Sequence, residues 1–161
     1  MAKVFLGLGS NIGNKVQNIN DAIERLKLTI GHLEACSSFY ESEPLGFKSS
    51  DRFVNAVAQF ETNMQPLEIL NNILRIEKEL GRERVLGKVS SRTIDIDILL
   101  IDDIVQNSVK LILPHPRLHE RKFVLLPLNE IAPDFRHPVF SRTISDLLSK
   151  CVDSTQPVRL L

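Results

Sequence analysis

Arg92-Thr93-Ile94-Asp95-Ile96-Asp97-Ile98-Leu99-Leu100 is the stretch that decides how the rest of the chain is read. Isoleucine alternates with a second residue type, a period of two, which predicts a β-strand. Ile94, Ile96 and Ile98 then point into an apolar layer, and Asp95 and Asp97 share the opposite face. Residues two apart on one strand face are separated by roughly 7 Å. Two carboxylates so placed, on a strand suited to a core, repel each other and resist desolvation. A divalent cation relieves both problems, because the pair can ligate one ion or two adjacent ones. Hard oxygen donors favour Mg²⁺ or Mn²⁺, and Mg²⁺ in such sites usually arrives with phosphates. A strand with a wet, charged outer face would show the same alternation, although aspartate is among the poorer strand residues. On spacing alone the two readings weigh equally, so the flanking sequence has to separate them.

The flanks are cationic. Arg82, Arg84, Lys88 and Arg92 stand against Glu83 alone, and beyond the strand Lys110, Arg117, Arg121 and Lys122 stand against Glu120. The whole chain nevertheless balances 20 Lys+Arg against 20 Asp+Glu, so no global field argues for nucleic acid or an anionic membrane. A local anion site in a neutral protein is the better description. The 161 residues, 43% hydrophobic and 25% charged, suit a single domain over 1–161 with a real core. Two cysteines, Cys36 and Cys151, cannot build a disulfide framework, and with neither a signal peptide nor a membrane span in view a reduced cytoplasm is expected.

Working back to the start, Val4 to Gly9 predicts a short buried strand, with Gly7 and Gly9 marking a close approach by backbone or ligand. Asn14, with Gln17 three residues on, resembles a capping box. Val16, Ile19, Ile23, Leu26 and Ile30 fall within an arc of roughly 80°, one helix face. His32 to Tyr40 predicts a second strand, Glu41 to Arg52 a loop of ligand-binding length, and Phe53 to Thr62 a third strand. Asn55 shares a face with Phe53 and Val57, an odd place for a poor strand former. Pro66 opens a second helix and Gly81 suits its C′ position. Leu67, Ile69, Leu70, Ile73, Leu74, Ile76 and Leu80 cover half of that helix, and Glu77 sits in the middle of this apolar half. It is either a carboxylate at the core's edge paired with an arginine or a polar contact to a ligand.

Gly81 to Ser91 has no period and nearly matches a phosphate-binding P-loop, but the spacing is one residue too long and Val89 replaces the required Ser or Thr. An arginine-bearing loop that closes on polyphosphate fits better. Beyond Lys110 lie six of the eight prolines, which predicts a wrapping segment of short elements. His115 and His119 are spaced i, i+4, but Pro116 between them disfavours a helical metal pair, and hydrogen bonds to phosphate are the simpler role.

The order strand–helix–strand–strand–helix–strand predicts an α+β, ferredoxin-like βαββαβ core. Two helices would pack on one face of a four-stranded antiparallel sheet, leaving the other face available, with a Pro-rich C-terminal wrapping segment. The sequence around Asp95 and Asp97 closely resembles the signature of the 6-hydroxymethyl-7,8-dihydropterin pyrophosphokinases, folate-pathway enzymes. Gly9-Ser10-Asn11, Ser37-Ser38-Phe39-Tyr40, Pro44-Leu45-Gly46, Phe53-Val54-Asn55-Ala56, Gly81-Arg82-Glu83-Arg84, Leu113-Pro114-His115-Pro116 and Pro127-Leu128-Asn129-Glu130-Ile131-Ala132-Pro133 resemble further landmarks in the family's order.

The resemblance implies transfer of pyrophosphate from ATP, the co-substrate, to the pterin hydroxymethyl, releasing AMP. It implies two Mg²⁺ ions on Asp95 and Asp97, and Arg82 and Arg92 as catalytic cations on the moving phosphates. Glu77, Arg82, Arg84, Arg92, Ile98, His115 and Arg121 would contact ATP. Phe53 and Phe123 would sandwich the pterin, with Ser42, Asn55 and the backbone at Pro44 and Leu45 on its edge. The partners are then small molecules, with no nucleic acid or membrane, and a monomer is expected. Lys88-Val89-Ser90-Ser91 lacks the tryptophan and Gly-Pro that relatives often carry there, and Leu74 stands where some have glutamine. A ligand sensor on the same fold would need neither the carboxylates nor the arginine loop. An RNA-binding sheet would need exposed central aromatics in place of an acidic face.

Overall fold

The structure, a computed structural model, describes residues 1–42, 52–81 and 93–160. In chain order these form β1 (Ala2–Ser10), α1 (Lys15–Thr29), β2 (His32–Cys36), β3 (Tyr40–Ser42), β4 (Phe53–Thr62), α2 (Pro66–Glu79), β5 (Asp95–Ile101), β6 (Gln106–Asn107) and β7 (Ile112–Leu113). A single 3-10 turn at Leu118–Glu120 follows, then α3 (Lys122–Ile131), α4 (Ile144–Lys150) and β8 (Val158–Arg159). The main sheet runs β5-β1-β4-β3-β8, with β2 also paired to β4, and its pairings are antiparallel. The protein is thus α+β, an antiparallel sheet with four helices among the described residues.

The first helix starts where its cap dictates. Asn14 Oδ1 accepts the Gln17 backbone N–H at 3.1 Å, while the Gln17 side chain turns outward to Asp21 at 2.7 Å, so half of the expected box is made. Ile19, Ala22, Ile23 and Leu26 are buried; Val16, at the edge of the arc in the first turn, is exposed. In α2 the reciprocal box is complete around Gln65 and Glu68, and Gly81 follows the helix at φ +92°, the left-handed conformation that glycine adopts freely. Its apolar half is narrower than the sequence suggests, since Leu67 and Leu74 are exposed and Ile69, Ile73 and Ile76 carry the burial.

Two strand expectations are corrected. The predicted second strand is two strands, β2 and β3, because residues 37–39 leave the ladder. Ser37 Oγ accepts the Val57 N–H at 2.9 Å in place of a carbonyl, and Ser38 turns to Glu130. With β8 added at the far edge, the sheet has six strands rather than four. Glu41 and Ser42, expected to open a loop, belong to β3, and residues 43–51 of that expected loop lie outside the described residues.

The other face of the sheet is not left available along its whole length. Val4, Leu6, Leu8, Ile94, Ile96 and Ile98 face α1 and α2 in one core. Phe5, Val57, Leu99 and Leu100 form a second core with Leu118, Leu125, Leu128 and Ile144, brought over by the 3-10 turn, α3 and α4. Leu99 and Leu100 enter that core consecutively because the β1–β5 register shifts between Phe5 and Leu6, an irregularity that strict alternation cannot anticipate. The short C-terminal elements therefore roof one end of the second face, and among the described residues Asp95, Asp97, Phe53 and Asn55 are not members of this second core. Cys36 and Cys151 are free thiols.

Candidate active site

Register places the candidate residues in rows across the end of the sheet outside that second core. Asp95 lies opposite Gly9, which lies opposite Asn55, which lies opposite Tyr40. One row along, Asp97 lies opposite Gly7, and Gly7 opposite Val57. Neighbouring strands are about 4.8 Å apart, so the Asp95 and Asn55 backbones are roughly 10 Å apart across β1. Both intervening positions lack side chains. A Cβ at Gly9 would sit 2.8 Å from Asn55 Oδ1, so glycine is what lets that amide lie down over the central strand. The glycines of β1 thus separate an acidic rim on β5 from an amide on β4, with the Leu99 side chain packed over Gly7 and Asn55 Oδ1 over Gly9.

Asp95 and Asp97 are half-buried, while Ile94, Ile96 and Ile98 are buried in the helix-facing core, as the alternation predicts. Among the described residues no group of three or more His, Cys, Asp or Glu comes together as a self-sufficient metal cage. Two carboxylates on one strand face instead fit a Mg²⁺ ion that completes its shell with water and phosphate oxygens.

Glu77 is 3% exposed, and its Oε2 accepts the Ile96 backbone N–H at 2.9 Å. This accounts for a carboxylate on the apolar half of α2: it binds the outer edge of β5 between the two aspartates. Ile98 is buried in the helix-facing core, so any ligand contact there goes through the backbone of the edge strand β5.

His115 is attached to the same strand, its N–H donating to Leu99 O at 2.9 Å. Burial, then Arg121, lowers its pKa to about 4, with Asp95 opposing and Arg117 adding to the depression. The imidazole is therefore neutral near pH 7. Its Nδ1 accepts the Arg117 N–H at 3.1 Å, so the ring proton resides on Nε2, a donor able to meet a phosphate oxygen. Arg121 begins α3, with its guanidinium 5.6 Å from the Phe123 ring centroid, a cation–π contact that holds both side chains at the helix start.

On the opposite side, Asn55 Nδ2 donates to Ser42 Oγ at 3.0 Å, and both residues are buried. That bond fixes the amide with Oδ1 toward Gly9. Phe53, half-buried, stands beside Ser42 in the β3–β4 register. Ser42, Phe53 and Asn55 thus form one cluster, and His115, Arg121 and Phe123 belong to the segment that roofs the sheet. Pro44, Leu45, Arg82, Arg84 and Arg92 lie outside the described residues.

Sequence reading missed how the roof is fastened. Glu130 of α3 accepts the Tyr40 hydroxyl at 2.7 Å and the Ser38 N–H and hydroxyl at 2.8 and 3.0 Å. Burial alone would raise the Glu130 pKa, but these donors, with Arg159, hold it below the usual carboxylate range. The partners are about ninety positions apart, and no local pattern announces them.

The two depressed histidines make stability pH-dependent. His137, buried under Phe140, also lies at about 4, from burial and then His119. An unfolded histidine takes its proton near 6.5, so between about pH 6.5 and 5 the unfolded chain binds more protons and the native state loses ground. The urea midpoint is expected to fall over that window, and His137→Gln to flatten part of the slope. An unchanged midpoint from pH 7 to 5 would contradict the assignment.

The family model described as 7,8-dihydro-6-hydroxymethylpterin-pyrophosphokinase matches residues 5–133. The 2-amino-4-hydroxy-6-hydroxymethyldihydropteridine pyrophosphokinase of Haemophilus influenzae is 41% identical, the match covering 95% of each chain. A folic acid synthesis protein of Pneumocystis carinii is 43% identical over 93% of this chain, which spans only 20% of that longer protein. Among solved structures, Plasmodium falciparum HPPK-DHPS with SDX-DHP aligns with a TM-score of 0.74 over 93% of this chain and 43% of that one, at 20% identity, a likeness of fold.

Proposed function

The chain belongs to the 7,8-dihydro-6-hydroxymethylpterin-pyrophosphokinase family, and from that premise we propose that it transfers pyrophosphate from ATP to 6-hydroxymethyl-7,8-dihydropterin in folate biosynthesis. The pterin hydroxymethyl oxygen attacks the β-phosphorus, the bond from that phosphorus to the α,β-bridging oxygen breaks, AMP departs, and the hydroxyl proton passes to water. The observation that carries this reading is the register that sets the Asp95/Asp97 rim and the Asn55–Ser42 pair on either side of Gly7 and Gly9. One end offers hard anionic donors, the other a hydrogen-bonding edge, at a span suited to two substrates meeting end to end.

Asp95 and Asp97 would hold two Mg²⁺ ions, which when bound supply charge neutralisation and Lewis-acid polarisation of the phosphates. His115, neutral and protonated on Nε2, donates a hydrogen bond to the nucleotide phosphates, and Arg121 adds a fixed positive charge. Ile98 presents backbone to the nucleotide. Glu77 belongs to the same wall, which supports its place in the nucleotide site through β5. Phe53 and Phe123 take the faces of the pterin ring, as aromatic side chains do with flat heterocycles. Asn55 Oδ1 accepts from the ring's N–H edge, with Ser42 orienting the amide and the backbone at Pro44 and Leu45 completing the contact. Arg82 and Arg92 are assigned to the moving phosphates, and Arg84 to the nucleotide, on the family resemblance.

The strand order supports a ferredoxin-like core formed by β1, α1, β2/β3, β4, α2 and β5. No helix of the described residues is long and apolar enough to cross a membrane, and a single-domain cytoplasmic monomer is part of the proposal. Incubation with ATP, MgCl₂ and the hydroxymethyl pterin, followed by chromatography of the nucleotides, is expected to yield AMP in equal amount to pterin diphosphate. Release of ADP, or no pterin-dependent turnover, would overturn the reading.

A further inference from the structure

Arg121 and Phe123, assigned to opposite substrates, flank Lys122, the first residue of α3, yet Arg121, the N-cap, makes no side-chain capping hydrogen bond of its own. The first turn of any helix leaves backbone N–H groups without intrahelical partners. Here the N–H of Lys122, the residue between Arg121 and Phe123, donates to Asp153 Oδ2 at 3.0 Å. Asp153 lies 31 positions downstream, past the end of α4 and outside the stretch of chain that the family model matches.

Its other oxygen is also held. Asp153 Oδ1 accepts the Thr155 N–H at 2.9 Å and the Thr155 hydroxyl at 2.7 Å, so the carboxylate is oriented by its own turn before it meets α3. Burial opposes the charged form, but these bonds and the Lys122 charge outweigh it and keep the carboxyl below its ordinary range. A negative group at a helix N-terminus is favoured by the helix dipole as well. The chain then continues to β8, where Val158 and Arg159 pair with Glu41 and Tyr40 of β3, and the Leu160 N–H donates to Phe39 O at 2.8 Å. The same C-terminal strap therefore grips both the start of α3 and the strand that carries Ser42.

We infer that Asp153 is a positioning residue of the substrate site: by capping α3 from the C-terminal strap, it fixes where Arg121 and Phe123 are presented. This rests on the pyrophosphokinase reading for the roles of those two residues, though not for the tether itself. Asp153→Ala leaves the Lys122 N–H without its acceptor and frees the helix start to shift. A shift there weakens ground-state contacts to both substrates, so KM for ATP and for the pterin is expected to rise about five- to tenfold, with kcat changed less than threefold. Asp153→Asn, which retains an acceptor oxygen, is expected to recover most of that loss. Thr155→Ala, which loosens the carboxylate without deleting it, should give a smaller rise in the same two constants.

Thr143→Ala is the control. It removes the Asp146 N–H···Thr143 Oγ1 bond of 3.1 Å that caps α4 in the same layer, and should lower the melting temperature while leaving both KM values within twofold. Amide hydrogen exchange at Lys122 is read in parallel, since it reports the tether whatever the protein catalyses. Unchanged KM values in Asp153→Ala, or an equal rise in Thr143→Ala, would overturn the inference. Should Asp153→Ala fail to fold, Thr155→Ala decides by the same two constants. A wild-type protein that makes no AMP would sink the functional reading instead, and Lys122 exchange no faster in Asp153→Ala than in wild type would sink the tether.

Discussion

Asp97→Ala is expected to lose turnover by on the order of 10³-fold or more, about 4 kcal/mol of transition-state stabilisation, while remaining folded. Asp97 faces away from the helices, opposite Gly7, so truncation leaves Ile96 and Ile98 and their core undisturbed. Removing one of two carboxylates also relieves their mutual repulsion, which offsets some of any stability lost. In the proposed site, what cannot be replaced is the second anionic ligand. One carboxylate leaves the phosphate charge less neutralised and the nucleotide poorly fixed relative to the attacking hydroxyl, an effect concentrated in the transition state. Asp97→Asn keeps the shape and one oxygen but not the charge, and is expected to be nearly as slow. The check is AMP release at saturating ATP and Mg²⁺, beside a thermal melt. Turnover within tenfold of wild type in a folded variant would remove Asp97 from the metal site.

Phe5→Ala is expected to cost about 3–5 kcal/mol, the range for deleting a fully buried phenylalanine. Phe5 is 1% exposed, and its ring meets Phe135 edge-on at 5.0 Å between centroids. It projects from β1 into the second core, where it meets the layer built by α3 and α4. For a chain of this size the loss corresponds to roughly 6–20 °C in melting temperature. The cavity would open beneath the roof rather than between the sheet and α1 and α2. The α3 amides should therefore exchange faster than those of α1. A melting temperature within 2 °C of wild type would mean that the second core contributes little, and that the roof is held chiefly by Glu130 and its three donors.

The elements with strong local signals were legible from residue types. Strand β4 and helix α2 match their predicted bounds closely, because Pro66, Gly81 and an apolar repeat act within one turn or one strand. The alternation at Ile94–Ile98 correctly separated the core face from the carboxylate face. Asn55 and Glu77 were visible as misfits, and both turn out to make specific bonds, to Ser42 Oγ and to the Ile96 N–H. The division of the second strand was not legible, since the ladder breaks where the Ser37 hydroxyl takes the Val57 N–H and Ser38 turns away to Glu130.

By itself the sequence determined periodicity, caps, the acidic pair and the family to which they belong, all properties that act between near neighbours or through residue identity. Tertiary structure alone decided that Gly9 gives way to Asn55, that His115 is neutral beside Asp95, and that Asp153 and Glu130 reach α3 and β3 across the chain. Those outcomes depend on register, burial and closure between segments from about 20 to 90 positions apart, and such free energies exist only once the chain has folded.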